Sequence, residues 1–398
     1  MIKIFLLCAA LAAAQPTTTS LSKINPRLKE FVDKGTAAGF VTLVAQNGKI
    51  LHHDAVGFTD IETKAQPMKT SNIFQLHSMT KPIVCMAAMM LAEQGKLHID
   101  DPVEIHLPEF RGLQWAIESK SEDGNHITLQ KLSRKITIRD LMTHTSGIIL
   151  NPPPAIGELH GALHKSLADV VLVYAQQPVL FQPGTKWSYS NGGIATLARI
   201  VEVVSGMPYE KFLEAKIFKP LGMIDTHTYP PKEKWNRMPT AYILKDGQPL
   251  KYTADPLGEG KMKFRDGAKY PLPEGGLYST TSDLFRLYQL FLNGGAYNGM
   301  RLLSKNSVQQ MTTVHTGDLK TSQPGAGWGL GWYVMQPDSK LLMPPGTFGH
   351  GGRYGTFCFI DPKDNIIGIF MIHREGGSAE RIAFVEEVLG QLQKGTSE

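Results

Sequence analysis

A serine and a lysine three residues apart are the first candidates for chemistry in this chain. They belong to the run Ser78-Met79-Thr80-Lys81, which opens a strongly apolar segment. Residues i and i+3 lie on the same side of a helix, so the hydroxyl and the amine can approach each other. A lysine whose pKa is lowered by burial can take the proton of a serine and make it a nucleophile. The pair alone has a second interpretation, in which Ser78 caps the helix and Lys81 reaches out to solvent.

The segment Tyr189-Ser190-Asn191 forms the second group of candidates, in a turn that precedes Gly192 and a predicted helix. From such a turn Tyr189 can reach into a cleft, where a nearby lysine would favour its phenolate. The amide of Asn191 can bind a substrate or Lys81. Taken alone, the segment favours the simpler interpretation of a tyrosine that only packs its ring in a turn.

The third group is His350-Gly351-Gly352, on a predicted strand near the C-terminus. Two glycines inside a strand indicate that something approaches the backbone closely. A substrate lying along the strand, with a backbone N–H aimed at its carbonyl oxygen, would use such a gap. A simple bulge in the strand is the alternative, and the residue pattern does not separate the two.

The elements that position these residues come from both ends of the chain. A helix is predicted over 22–37, a hairpin at Asn47-Gly48, a buried helix over 79–95, and terminal strands followed by a helix over 378–394. We therefore predict an α+β fold of the α/β sandwich type. Its antiparallel sheet comes from both chain ends and is flanked by helices, with an inserted all-helical domain.

The predicted domain boundaries follow from the same pattern. Residues 22–100 and 275–394 form the sheet-plus-helix domain, and residues 101–274 form a mainly helical domain with loops over the cleft. Within that second domain, a short helix is expected to stop at Gly147. The polar segment 114–135 is interpreted as a surface insertion.

The first residues have the features of a secretory signal. Lys3 precedes an apolar run of about ten residues and the small-residue stretch that ends at Ala14, so we expect export after cleavage near Ala14. The run is too short to span a bilayer, and no membrane insertion is expected elsewhere. Cys85 and Cys358 then remain, both in apolar segments, and are expected to be buried thiols.

Composition and motifs exclude several other classes of protein. The formal charge of +5 is spread over 398 residues without a long basic run, so no nucleic-acid partner is expected. The chain has no G-x-S-x-G segment, which argues against an α/β-hydrolase. The composition indicates no oligomeric state.

The histidines do not predict a metal site or a cofactor. His160 and His164 have the i, i+4 spacing of zinc ligands on a helix, but no H-E-x-x-H accompanies them. His52 and His53 alternate across a predicted strand and should not converge on one ion. His144 is interpreted as a residue that holds a turn near the active site.

Together the three groups resemble the serine β-lactamase and penicillin-binding-protein superfamily, in which S-x-x-K, Y-x-N and a late glycine-containing triplet follow in this order. The segments LMTHTSG (141–147), FQPGTKWSYSN (181–191) and GGLYSTTSDLFRL (275–287) are similar to its class C β-lactamase-like branch. The resemblance covers residues from about 25 to about 390. It implies a sheet domain plus a helical domain, in agreement with the pattern of elements.

The resemblance also implies a role for each candidate residue. Ser78 would be the acylated nucleophile, and Lys81 and Tyr189 would share the role of base. Tyr189 would also protonate the leaving group and help to activate the deacylating water. Asn191 would bind the acyl side chain and orient Lys81. The backbone N–H groups of Ser78 and Arg353 would form the oxyanion hole.

The first position of the late triplet departs from the superfamily. Its β-lactamases and DD-peptidases normally carry K-T-G or K-S-G, whereas this chain has His350 followed by Gly351 and Gly352. A histidine that is neutral above a pH of about 6.5 is a weaker anchor for a substrate carboxylate. The triplet resembles that of family VIII carboxylesterases, whose ester substrates need no carboxylate.

The predicted function is therefore a serine hydrolase that acts through an acyl-enzyme on small-molecule carboxylic esters with short to medium acyl chains. Asn191, His350, Gly351 and Gly352 are the predicted substrate-binding residues. The alternatives are a class C-type β-lactamase, a D-aminopeptidase or DD-peptidase, and an amide hydrolase or acyltransferase. A binding protein that keeps the fold without turnover is a further alternative, against which the intact Ser78, Lys81 and Tyr189 argue.

Overall fold

A seven-stranded antiparallel sheet forms the centre of the structure. The structure is a computed structural model that describes residues 21–121, 124–152, 164–251, 263–340 and 342–392. Helices cover both faces of the sheet, and the middle of the chain adds a helical region beside it.

The strands in chain order are β1 (Gly39–Gln46), β2 (Lys49–Gly57), β3 (Phe74–Gln75), β4 (Gln114–Ser121), β5 (Gly124–Lys131), β6 (Tyr242–Lys245), β7 (Gln248–Lys251), β8 (Tyr278–Ser279), β9 (Ala296–Tyr297), β10 (Met300–Arg301), β11 (Ala326–Trp328), β12 (Tyr333–Met335), β13 (Phe348–Gly351), β14 (Phe357–Asp361), β15 (Ile366–Met371) and β16 (Arg374–Glu375). The α-helices are α1 (Ile24–Asp33), α2 (Lys81–Glu93), α3 (Val103–His106), α4 (Ile138–Thr143), α5 (Leu167–Ala175), α6 (Asn191–Ser205), α7 (Tyr209–Leu213), α8 (Lys219–Leu221), α9 (Thr281–Leu292), α10 (Lys305–Met311) and α11 (Ala379–Leu392).

The strand order of the large sheet is β11-β12-β13-β14-β15-β1-β2. Strands from the two ends of the chain therefore meet in the middle, where β1 pairs antiparallel with β15 and Val41 lies opposite Met371. Asn47 and Gly48, with φ of +52° and +77°, form the tight turn between β1 and β2. Positive φ at both turn residues matches the right-handed twist of the strands. The predicted sheet and its first hairpin are confirmed.

The two faces of the sheet are covered by different helices. On one face, α1 and α11 bury an aromatic and aliphatic layer in which the Phe370 ring lies 5.5 Å from both the Phe40 and Phe384 rings. On the other face, α9 packs on β1 and β15, while α2 contacts α6 of the helical region. Helix α2 is buried from Lys81 to Leu91, because both the sheet side and the helical side exclude water from it.

The middle of the chain contains two hairpins beside its helices. The segment predicted to be a surface insertion is largely the hairpin of β4 and β5, with Trp115 opposite Gln130, and most of β5 is exposed. The second hairpin joins β6 and β7.

Several sequence predictions concern single residues. Cys85 and Cys358 are buried, unpaired thiols, as expected. The predicted signal segment 1–14 and His160 lie outside the described residues. Within the part of the chain that the structure describes, no helix combines the length and apolarity needed to cross a membrane.

Candidate active site

Ser78 and Lys81 meet where a short 3-10 turn passes into helix α2. The turn covers His77–Thr80, and Lys81 is the first residue of α2. Pro82 follows in the first helical turn, where its missing N–H leaves no hydrogen bond unmade. Lys81 Nζ lies 3.0 Å from Ser78 Oγ and donates to the backbone carbonyl of Glu274 at 2.7 Å. The structure thus brings the predicted nucleophile and base into direct contact.

Burial tunes the amine of Lys81 for proton transfer. The side chain is fully buried, and this burial lowers its pKa to about 7, against an opposing attraction from Glu274. Loss of water penalises the charged form of a lysine, so a large part of the amines is neutral near pH 7. A neutral amine beside Ser78 Oγ can accept the hydroxyl proton, which is what a general base must do.

Tyr189 contacts both Lys81 and Ser78. Its ring centroid lies 4.7 Å from Lys81 Nζ, and its side chain is hydrogen-bonded to Ser78. Burial is the main cause that raises the pKa of Tyr189 well above its ordinary value, so the phenol stays protonated. These opposite shifts favour Lys81 as the group that takes the proton of Ser78, with Tyr189 as a proton donor.

His144 and two tryptophans hold Tyr189 in place. His144 ends α4 in the left-handed conformation, with φ of +61°, so the helix stops there and not at Gly147 as predicted. Its Nδ1 accepts the Ser190 N–H at 3.2 Å, and its ring lies 4.5 Å from that of Tyr189. Trp187 and Trp328 pack around the same imidazole, 5.8 and 5.2 Å away between ring centroids.

This cluster supports the expectation that His144 holds a turn near the site. The two tryptophans were not predicted to contribute. Trp187 belongs to the segment that carries the family resemblance, so its type and position were a usable signal. Trp328 comes from β11, and only the folded sheet brings it to Tyr189.

His350 lies on β13 beside this cluster, opposite Cys358 on β14. The imidazole is buried with 4% of its surface exposed, and its ring centroid is 6.3 Å from that of Tyr189. Its Nδ1 donates to the carbonyl of the next residue, Gly351, at 2.8 Å. Burial, together with the nearby Lys81, lowers the pKa of His350 to about 3. The side chain is therefore a neutral imidazole at physiological pH and offers no positive charge to a carboxylate.

A tight turn follows β13 and contains Gly352 and Arg353. The Gly352 N–H donates to the Thr356 carbonyl at 2.7 Å. A Cβ on Gly352 would collide with the carbonyl of Leu76 and the hydroxyl of Thr356, so the close approach expected from the two glycines occurs here. The Arg353 guanidinium is held by Glu375, with Nε 2.9 Å from Oε1.

Asn191 is the first residue of α6, and its Nδ2 donates to Asn151 Oδ1 at 2.9 Å. Among the described residues, Lys81 makes its two hydrogen bonds to Ser78 and to Glu274, so Glu274 orients the amine. Lys81 is bound here by the backbone carbonyl of Glu274, and a motif of side chains gives no signal for such a contact. The predicted role of Asn191 in orienting Lys81 has no hydrogen bond behind it among the described residues, and its role in binding an acyl side chain stays a prediction.

His52 and His53 make separate contacts within the described part of the chain. His52 Nε2 lies 2.8 Å from Thr42 Oγ1, whereas His53 Nε2 lies 2.9 Å from Thr281 Oγ1. The two imidazoles therefore serve different contacts, as the alternation along a strand predicts. Over the ranges that the structure describes, no group of three or more His, Cys, Asp or Glu side chains is placed to hold a metal ion.

Comparison with known proteins identifies the family. Residues 24–389 match the family described as Beta-lactamase. An uncharacterized protein of Mycobacterium tuberculosis is 30% identical over 364 residues, which cover 87% of this chain and 88% of that protein. Esterase EstB of Burkholderia gladioli is 28% identical over 392 residues, which cover 88% of this chain and 91% of EstB.

A solved structure agrees with these sequence matches. EstCE1, described as a hydrolase with promiscuous acyltransferase activity, superposes with a TM-score of 0.77 at 26% identity. The match covers 94% of this chain and 99% of EstCE1. With Ser78, Lys81 and Tyr189 in contact on this fold, the chain belongs to the β-lactamase family of serine hydrolases.

Proposed function

We propose that this protein hydrolyses carboxylic esters with short to medium acyl chains through an acyl-enzyme on Ser78. The observation that carries the proposal is the buried, neutral His350 at the position where β-lactamases of the superfamily normally have a lysine. A substrate without a carboxylate needs no cation at that position. The similarity to EstB and EstCE1, an esterase and a hydrolase by their descriptions, supports this substrate class.

The first half of the reaction transfers the acyl group to the enzyme. Ser78 Oγ attacks the carbonyl carbon of the ester while its proton passes to Lys81 Nζ. The N–H groups of Ser78 and Arg353 stabilise the negative oxygen of the tetrahedral intermediate. Tyr189 gives its proton to the departing alkoxide, and the proton on Lys81 restores the phenol. The alcohol leaves, and Ser78 carries the acyl group.

The second half reverses these roles with water as the nucleophile. The water gives a proton to the Lys81–Tyr189 pair as its oxygen attacks the acyl carbon. The bond to Ser78 Oγ then breaks, and the proton returns to that oxygen. The products are the free carboxylic acid and the regenerated enzyme.

A substrate that carries a carboxylate is the second candidate, and one observation favours it. A Cβ on Gly351 would lie 3.6 Å from Nη1 of Arg381, whose guanidinium packs 5.0 Å from the centroid of the Phe357 ring. A cation beside the second position of the triplet could hold an anionic group. A β-lactam or a peptide C-terminus would then depend on Arg381 of helix α11.

One set of assays separates the two candidates. Short-chain p-nitrophenyl esters, a chromogenic cephalosporin and a D-Ala-D-Ala peptide are offered to the wild type, Ser78→Ala and Arg381→Gln. We expect ester turnover that Ser78→Ala abolishes and Arg381→Gln leaves within about twofold. Fast cephalosporin or peptide turnover with negligible ester turnover would overturn the substrate class. If Arg381→Gln abolished that turnover, the second candidate would hold.

We also propose that the protein is exported and loses its first residues near Ala14. The support is the sequence of the segment itself, in which Lys3 precedes an apolar run and small residues. N-terminal sequencing of the protein recovered outside the cytoplasm of an expressing bacterium tests this. A mature chain that begins close to Gln15 is expected, and a chain found only inside the cell with Met1 intact would contradict the proposal.

A further inference from the structure

The residue before the nucleophile has an unusual backbone conformation. His77 has a φ of +47°, in the left-handed region that residues other than glycine seldom adopt. Its side chain is buried, and Gly275 lies against its backbone, where an added Cβ would be in van der Waals contact at 3.4 Å from His77 Cα. Such a conformation persists only where the surroundings hold it. The contacts of His77 therefore set the direction in which Ser78 leaves the preceding strand segment.

The main ring contact of His77 is with Tyr354. The two rings meet edge to face, with centroids 4.3 Å apart and planes at 89°. Tyr354 is fully buried, its carbonyl accepts the Arg374 N–H at 3.0 Å, and its ring lies 5.1 Å from that of His373. Tyr354 is thus fixed to the body of the fold. Its contact joins the residue before Ser78 to the residue after Arg353.

A hydrogen bond also links the segment before Ser78 to the turn that follows Arg353. Thr356 Oγ1 donates to the carbonyl of Leu76 at 3.1 Å. The Thr356 carbonyl accepts the Gly352 N–H, which closes the turn on itself. Because Gly352 lies against the Leu76 carbonyl with no room for a side chain, the two backbones also touch directly.

We propose that His77, Tyr354 and Thr356 are positioning residues that set the spacing of the oxyanion hole. The inference rests on the proposed function, since it takes the N–H groups of Ser78 and Arg353 as the donors. Donors must lie about 2.7–3.1 Å from the developing oxyanion, and small displacements are costly. The ring contact and the hydroxyl bond hold the two donor segments at one separation. None of the three side chains acts on the substrate itself.

The test uses an ester and its thionoester, in which sulfur replaces the carbonyl oxygen. A sulfur anion accepts N–H hydrogen bonds weakly, so a well-formed hole favours the oxygen ester. Thr356→Val removes the hydroxyl at nearly constant shape, Tyr354→Leu removes the ring, and Tyr354→Phe keeps the ring. For Thr356→Val and Tyr354→Leu we expect kcat on the oxygen ester to fall about 10- to 100-fold with little change in KM. The thionoester should lose much less, and Tyr354→Phe, which keeps the ring contact, should retain much more activity than Tyr354→Leu.

Thr312→Val is the matched control, because its hydroxyl donates to the Val308 carbonyl at 2.9 Å just after helix α10. It should leave the ratio of kcat/KM for ester over thionoester unchanged. Circular dichroism confirms that each variant is folded, and Thr356→Val is the mildest change if Tyr354→Leu unfolds. An equal loss on both substrates would contradict the proposed positioning role of these residues. Absence of ester turnover in the wild type would instead overturn the proposed function, so the two failures are distinguishable.

Discussion

Two buried nitrogen side chains lie close together in this molecule, and burial lowers the pKa of both with different consequences. Lys81 is held by Ser78 and by the Glu274 carbonyl, and its pKa falls to about 7. His350 donates to its neighbour Gly351, and its pKa falls to about 3. Desolvation therefore keeps Lys81 able to exchange a proton at physiological pH, and it keeps His350 neutral. The group that transfers protons, Lys81, is thus retained. The side chain at the position that would anchor a substrate anion, His350, carries no charge.

Replacing Lys81, the proposed base, should have the largest effect on activity. Lys81→Met fills a similar volume without a proton acceptor, so we expect the kcat for p-nitrophenyl acetate to fall by about 10²–10⁴. Lys211→Met, which changes a lysine paired with Glu214 at the surface, is the matched control and should retain activity. A Lys81→Met variant that kept most of its activity would contradict the role of Lys81.

The pH profile separates the two nitrogens without a mutation. Ester hydrolysis needs neutral Lys81, so kcat/KM should fall about tenfold per pH unit below pH 7 and level off above it. At pH 5 about 1% of the maximum should remain. His350 titrates near pH 3, and the pKa of Tyr189 lies well above its ordinary value. Of these three site residues, only Lys81 should therefore change its charge between pH 5 and 9. If the inflection near pH 7 disappeared in His350→Gln, the titrating group would be His350 and not Lys81, and this would contradict the account.

Restoring a cation on β13 sharpens the comparison. We expect His350→Lys to raise kcat/KM for a chromogenic cephalosporin about tenfold relative to that for an uncharged ester, because an ammonium can pair with the carboxylate. His350→Gln is the matched neutral control. If both variants changed the two substrates in parallel, charge at this position would not determine the substrate.

The last prediction concerns stability rather than turnover. Because the folded pKa of Lys81 lies below its unfolded value of 10.5, the unfolded chain binds the extra proton between pH 7 and 10. The free energy of unfolding of the wild type should therefore rise with pH relative to Lys81→Met, by at most about 1.4 kcal/mol per pH unit. Urea denaturation of both proteins at pH 7, 8.5 and 10 measures this difference. A constant difference would show that Lys81 is not titrating from a buried neutral state.

Much of the fold could be predicted because its signals are local. The Asn47-Gly48 turn, the apolar helix that follows Ser78 and the terminal strands each have a pattern within a few residues. The proximity of Ser78, Lys81 and Tyr189 also followed, since helical spacing joins the first two and the family resemblance adds the third. The neutral state of His350 was expected from its residue type, but the depth of its burial was not.

The contacts that the sequence could not predict join distant segments or use backbone atoms. The Glu274 carbonyl that orients Lys81 has no side-chain signature. The ring contact between His77 and Tyr354 connects a turn early in the chain with one near its end, and it depends on a backbone conformation that residues other than glycine seldom adopt. Tertiary packing decides such contacts, so periodicity and propensity carry no information about them.

Covalent labelling of the nucleophile tests the central claim most directly. The full-length protein is incubated with a p-nitrophenyl alkylphosphonate, which mimics an ester and stays on the attacking oxygen, and the adduct is mapped by peptide mass spectrometry. We predict a single adduct on the peptide that contains Ser78, absent from Ser78→Ala and formed faster as the pH rises through 7. An adduct on another residue, or equal labelling of Ser78→Ala, would contradict the account.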